Sequence, residues 1–142
     1  MPVGPDLIPT GKIEPVAGTP LDFTKSTAIG KRIDQVPGGY DHCWVLSPPA
    51  GKLARACRLH DPRSGRVMEI FTDQPGIQFY TGNFLDGSII GRGGVPYARR
   101  CGLCLETQKW PDALNHPDFP SIVLRPGETY RHRMVHRFSA QS

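Results

Sequence analysis

The sequence predicts an antiparallel all-β protein, a sandwich or barrel, and three observations carry that prediction. Short runs rich in β-branched, aromatic and aliphatic residues recur along the chain, each closed by turn chemistry. The 16 glycines and 15 prolines exceed ordinary usage and punctuate the chain too often for long helices. Two connections, DPRSG and RPGE, have the composition of tight turns between neighbouring strands.

Taken in order, the first twenty residues carry Pro2, Pro5, Pro9, Pro15 and Pro20, so residues 1–23 read as an extended segment rather than a packed element. TKSTAIGKRI, residues 24–33, allows a short helical turn that Gly30 keeps brief. Four strands follow: CWVL at 43–46, LARACRLH at 53–60, RVMEIFT at 66–72 and GIQFYTG at 76–82. DPRSG, residues 61–65, suits a hairpin loop between the second and third, with Asp-Pro opening it and Gly65 closing it. After the glycine-rich loop GSIIGRGGVPYARR comes GLCLETQKWP, residues 102–111. There Leu103, Leu105 and Thr107 alternate with Cys104, Glu106 and Gln108, as in a strand about to enter a proline-rich loop. SIVL at 121–124 reads as a further strand, and RPGE at 125–128 as a type II turn into a final strand over 129–138. In that last strand Arg131, Arg133 and Arg137 would form one charged face.

At 142 residues the chain is sized for one domain, burying roughly 70% of its unfolded surface. The net charge of +4 permits an anionic partner, but no groove-reading motif accompanies it and no nucleic-acid partner is expected. No apolar run approaches a membrane span, and the N-terminus has neither the basic nor the apolar region of a secretion signal, so a soluble cytoplasmic protein is expected. The four cysteines, Cys43, Cys57, Cys101 and Cys104, are irregularly spaced and read as reduced thiols. Cys101 and Cys104 form a C-x-x-C, but on a strand positions three apart face opposite ways, and no histidine completes a finger-like set. No metal or cofactor is expected.

Three stretches gather polar groups that a plain core does not need. In GGYDHCW, residues 38–44, Asp41 and His42 follow a glycine turn, and the ordinary reading is a turn capped by Asp41. In GIQFYTGNFLDG, residues 76–87, Gln78 shares a strand face with Tyr80 while Phe79 takes the other. An amide beside an aromatic ring suits a sugar, whereas the ordinary reading is a solvent-facing glutamine. The third is Glu106, either a surface acid on an edge strand or a functional acid accompanied by Trp110 and the loop PDALNHPDFP.

Taken together, LIPTGKIEPVAGTPLDF (7–23), GYDHCW, QPGIQFYTGNFLDG and GLCLETQKWPDALNHPDFPSIVLRPGETY resemble, in order and approximate spacing, the C-terminal half of the aldose 1-epimerase, or galactose mutarotase, family of the animal type. The resemblance implies a β-sandwich of the supersandwich kind, of which residues 1–142 would be the C-terminal part of a single domain, with 1–23 at the truncation point. It implies interconversion of the α and β anomers of galactose and glucose. Glu106 falls where the family has its general base, and Asp41 and Gln78 fall where it binds sugar hydroxyls. The family's acid histidine belongs to its N-terminal half, and none of His42, His60, His116, His132 or His136 stands in that motif. A truncated chain is therefore expected, monomeric in the full-length family and able to self-associate as a fragment. The rival expectation is a non-catalytic sugar-binding or vestigial piece.

Overall fold

The computed structural model describes residues 1–48 and 50–141. Among them are six strands: β1 (Asp41–Val45), β2 (Ala54–His60), β3 (Arg66–Thr72), β4 (Gly76–Tyr80), β5 (Cys104–Gln108) and β6 (Met134–Ala140). They form two three-stranded sheets, ordered β1-β4-β5 and β2-β3-β6. The only helical pieces among the described residues are 3-10 turns at Ile29–Lys31, Ile33–Gln35 and Arg92–Gly94. The first lies within residues 24–33, where a brief helical turn is expected, and the second begins at the last residue of that stretch. The all-β antiparallel reading therefore holds, and four of the expected strands fall on β1 to β4.

The chain divides into two compact units, one of Met1–Cys43 with Gln78–Glu106, the other of Trp44–Ile77 with Thr107–Ser142. In the first, the core is aromatic. Tyr40 and Phe79 stack at 5.3 Å between ring centroids, and Phe23 meets them edge-on at 5.2 Å and 5.8 Å. Such pairs are worth about 0.5–1.5 kcal/mol each beyond their buried area. The Tyr40 hydroxyl reaches the Pro20 carbonyl at 3.1 Å, so the proline-rich segment supplies the polar partner that a buried tyrosine requires. Earlier in that segment Val3 bridges Pro9, and the Met1 amino group donates to the Cys43 carbonyl at 2.8 Å.

In the second unit, Val67 and Ile70 of β3 are buried with Ile77, Ala113 and Phe119. Strands β2 and β3 form the expected hairpin: Asp61 N–H reaches the Arg66 carbonyl at 2.9 Å, and Gly65 N–H returns to the Asp61 carbonyl at 2.8 Å. A bulge between Arg55 and Cys57 interrupts their register. Strand β3 also pairs antiparallel with β6 from Arg66 opposite Ala140 to Thr72 opposite Met134.

Two strand expectations need correction. Residues 121–124 form no strand: Ile122, Val123 and Leu124 are 41%, 53% and 56% exposed, and β-propensity without a pairing partner does not make a strand. The turn after them is present, with Glu128 N–H on the Arg125 carbonyl at 3.0 Å and Gly127 at φ 86°, as position i+2 of a type II turn requires. The final strand begins at Met134 rather than 129, because its partner β3 ends at Thr72. Of the three arginines expected on one face of it, only Arg137 falls within β6. Every residue of β6 is exposed.

Candidate functional site

The site builds from the glycine pair before β1. Gly38 and Gly39 hold φ of 78° and 92°, the left-handed region that glycine enters without strain. That turn delivers Tyr40, whose carbonyl accepts Asn83 Nδ2 at 2.8 Å and Thr81 N–H at 3.1 Å. Thr81 Oγ1 in turn donates to Asn83 Oδ1 at 2.8 Å. The T-G-N of residues 81–83 thus clamps the start of β1 to the end of β4. Neither Asn83 nor Thr81 stood out by composition; the signal was an asparagine directly after a glycine.

With β1 clamped, Asp41 and Gln78 meet. Gln78 Nε2 donates to Asp41 Oδ1 at 2.8 Å, and both side chains are half-buried. Asp41 therefore does not cap the glycine turn with its carboxylate; it is held by the amide of the neighbouring strand. Along β4, Ile77 and Phe79 are buried while Gln78 and Tyr80 keep partial exposure, the alternation the sequence implies. Among the described residues no side chain engages Asp41 Oδ2 or Gln78 Oε1. The pair retains two oxygens able to accept hydrogen bonds.

His42 is half-buried, and its Nδ1 lies 3.1 Å from the Asp41 main-chain nitrogen, whose N–H donates to it. Burial, with the nearby Met1 ammonium, pushes the imidazole pKa below its ordinary value against the opposing pull of Asp41. The ring is thus neutral at pH 7, as its role as acceptor requires.

Glu106 lies on β5, the strand on the other side of β4 from β1. It is exposed between half-buried Leu105 and buried Thr107, and among the described residues its carboxylate forms no salt bridge or hydrogen bond. An accessible carboxylate with no internal partner can accept a proton from a bound hydroxyl. All three residues singled out from the sequence, Asp41, Gln78 and Glu106, fall in the first unit and on adjacent strands.

Trp110 belongs to the second unit. Its indole N–H donates to the Pro75 carbonyl at 3.0 Å, and its ring meets Phe119 edge-on at 5.0 Å, so it packs the 109–120 loop. The cysteines are free, with Cys43 buried, Cys57 half-buried and Cys101 and Cys104 exposed. Cys101 precedes β5 in a turn, its N–H on the Ala98 carbonyl at 3.1 Å, so the argument from strand faces does not apply to it. Among the described residues no group of three or more histidine, cysteine, aspartate or glutamate side chains is placed to hold a metal ion. No helix among them is long and apolar enough to cross a membrane.

The aldose 1-epimerase family matches this chain over residues 1–137. Galactose mutarotases of Rattus norvegicus and Homo sapiens are each 49% identical over 140 residues, covering 98% of this chain and 41% of theirs. The aldose 1-epimerase of Escherichia coli (strain K12) is 34% identical over 148 residues, covering 99% of this chain and 42% of its own. Among solved structures, a GalM/aldose epimerase homologue from C. elegans superposes with a TM-score of 0.87 at 29% identity, covering 99% of this chain and 43% of that one. The chain spans about two-fifths of the length of the relatives it matches. Since the match takes in all three strands that carry Asp41, Gln78 and Glu106, this chain belongs to the aldose 1-epimerase family.

Proposed function

We propose that this chain carries the general base and part of the sugar-binding surface of an aldose 1-epimerase, acting on the α and β anomers of galactose and glucose. The observation that carries the reading is the Gln78–Asp41 hydrogen bond of 2.8 Å with the unengaged Glu106 carboxylate on the strand flanking β4. On this reading residues 1–142 belong to a single aldose 1-epimerase domain, which the unbroken family match supports.

Glu106 removes the proton from the anomeric hydroxyl, the ring C–O bond breaks as the carbonyl forms, and rotation about C1–C2 allows closure on either face. Asp41 accepts a hydrogen bond from a sugar hydroxyl, and Gln78 accepts another through Oε1. A base of this kind must lie within about 3 Å of the proton it takes and contributes about 10²- to 10⁴-fold in rate. The ring oxygen needs a proton donor, and none of His42, His60, His116, His132 or His136 is assigned that part. This gap motivates a second reading, in which the chain binds sugar without turning it over.

Polarimetry of α-galactose mutarotation, with the wild type and Glu106→Gln, separates the two. The catalytic reading expects the variant to fall by about 10²-fold or more; equal rates would sink the role of Glu106. Galactose-dependent tryptophan fluorescence without mutarotation supports the binding reading. Asp41→Asn should weaken galactose binding in either case, and unchanged binding would remove Asp41 from the site.

A further inference from the structure

We propose that His132 is a positioning residue for Glu106, acting through Thr107. The inference rests on the reading of Glu106 as the base, and it concerns what keeps that carboxylate on its side of β5. Thr107, the next residue, is 8% exposed, whereas Glu106 is exposed. Successive side chains of a strand leave opposite faces, so whatever holds Thr107 inward obliges Glu106 to project outward. A slip of one residue would reverse both.

Thr107 is held by two groups. Its Oγ1 lies 3.0 Å from His132 Nε2 and 3.1 Å from Met134 Sδ. A threonine hydroxyl has one proton to give, and of these two neighbours the thioether can only accept. Both contacts of Oγ1 are satisfied together only when His132 is the donor, and that arrangement selects the tautomer with its proton on Nε2. Thr72 Oγ1 lies 3.4 Å from the same nitrogen, and it already accepts the Gln74 N–H at 3.1 Å. Thr72 is 2% exposed, so one imidazole N–H stands between two buried threonine hydroxyls, from β3 and β5. Removing that N–H leaves the buried Thr107 oxygen without its strongest donor, and such a loss is relieved by moving the strand. Thioether sulfur has no proton to donate and cannot replace it.

The wild type alone offers one test. The ¹⁵N spectrum of His132 should show the Nε2-protonated tautomer with a slowly exchanging proton; the Nδ1-protonated tautomer, or rapid exchange, would overturn the proposal. Three variants extend it. His132→Phe keeps ring volume without the N–H, Thr107→Val keeps shape without the hydroxyl, and His132→Gln restores an N–H donor. Expected in the first two are a shifted Glu106 carboxyl ¹³C signal, faster amide exchange over residues 104–108 and a kcat loss of about tenfold or more with little change in KM. His132→Gln should recover much of all three. A folded His132→Phe with the Glu106 signal and the 104–108 exchange unaltered refutes the positioning role. If the wild type shows no mutarotation, the proposed function fails while the tautomer, carboxyl and exchange measurements still decide this inference.

Discussion

Gly39 shows how closely single residues are specified around the site. It holds φ 92°, and a Cβ added there would run into the Asn83 carboxamide that clamps Tyr40. Gly39→Ala should therefore destabilise the protein by about 1–3 kcal/mol, through backbone strain together with loss of the clamp. The check is the urea midpoint against that of Gly38→Ala. Gly38 also has a positive φ, but a Cβ there meets nothing within 4 Å, so the smaller effect is expected at Gly38. Equal effects would mean that the Asn83 contact contributes nothing. At this scale much was readable beforehand. A glycine pair announces a left-handed turn, and Gln78 and Tyr80 show their shared face through alternation. The partner of Asp41 was not readable, because Gln78 is 37 residues away and only strand pairing brings them to 2.8 Å.

Among elements, the sheet β2-β3-β6 is stitched by one buried acid. Glu69, on central β3 and 9% exposed, takes Arg137 of β6 at 2.6 Å and Arg55 of β2 at 2.9 Å. The two Arg137 hydrogen bonds, then the one from Arg55, hold the Glu69 carboxyl below its ordinary pKa. A carboxylate depressed in the folded state stabilises it fully above the unfolded value of about 4.3, and that contribution is lost as pH falls through the lower folded value. Glu69→Gln should thus lower the denaturation midpoint at about pH 7, and the gap from wild type should close towards about pH 3. A gap that persists undiminished in acid would assign the effect to packing. Element boundaries were legible where an alternating run met its own turn, as at β2 and β3. They were not legible at residues 121–133, where the pattern allows a strand and only the length of β3 decides where β6 starts.

For the whole molecule, much apolar surface faces solvent. Strand β6 is an edge of its sheet, and Met134, Val135 and Phe138 on it are 44%, 46% and 73% exposed. An exposed edge with apolar side chains invites pairing with another chain. Sedimentation velocity should show the average mass rising with concentration, and Phe138→Lys should suppress the rise; a monomer at every concentration would contradict it. Family membership was legible at this scale because several specific motifs recur in order, and the match over residues 1–137 bears that out. Local chemistry alone settled the all-β class, the hairpin at 61–65 and the family, since turn residues, alternation and motifs are written in neighbouring positions. The fold alone decided that Asp41 is held by Gln78, that 121–124 stays unpaired and that His132 reaches Thr107. Each of these depends on a hydrogen-bonding partner distant in the chain, and no local pattern names that partner.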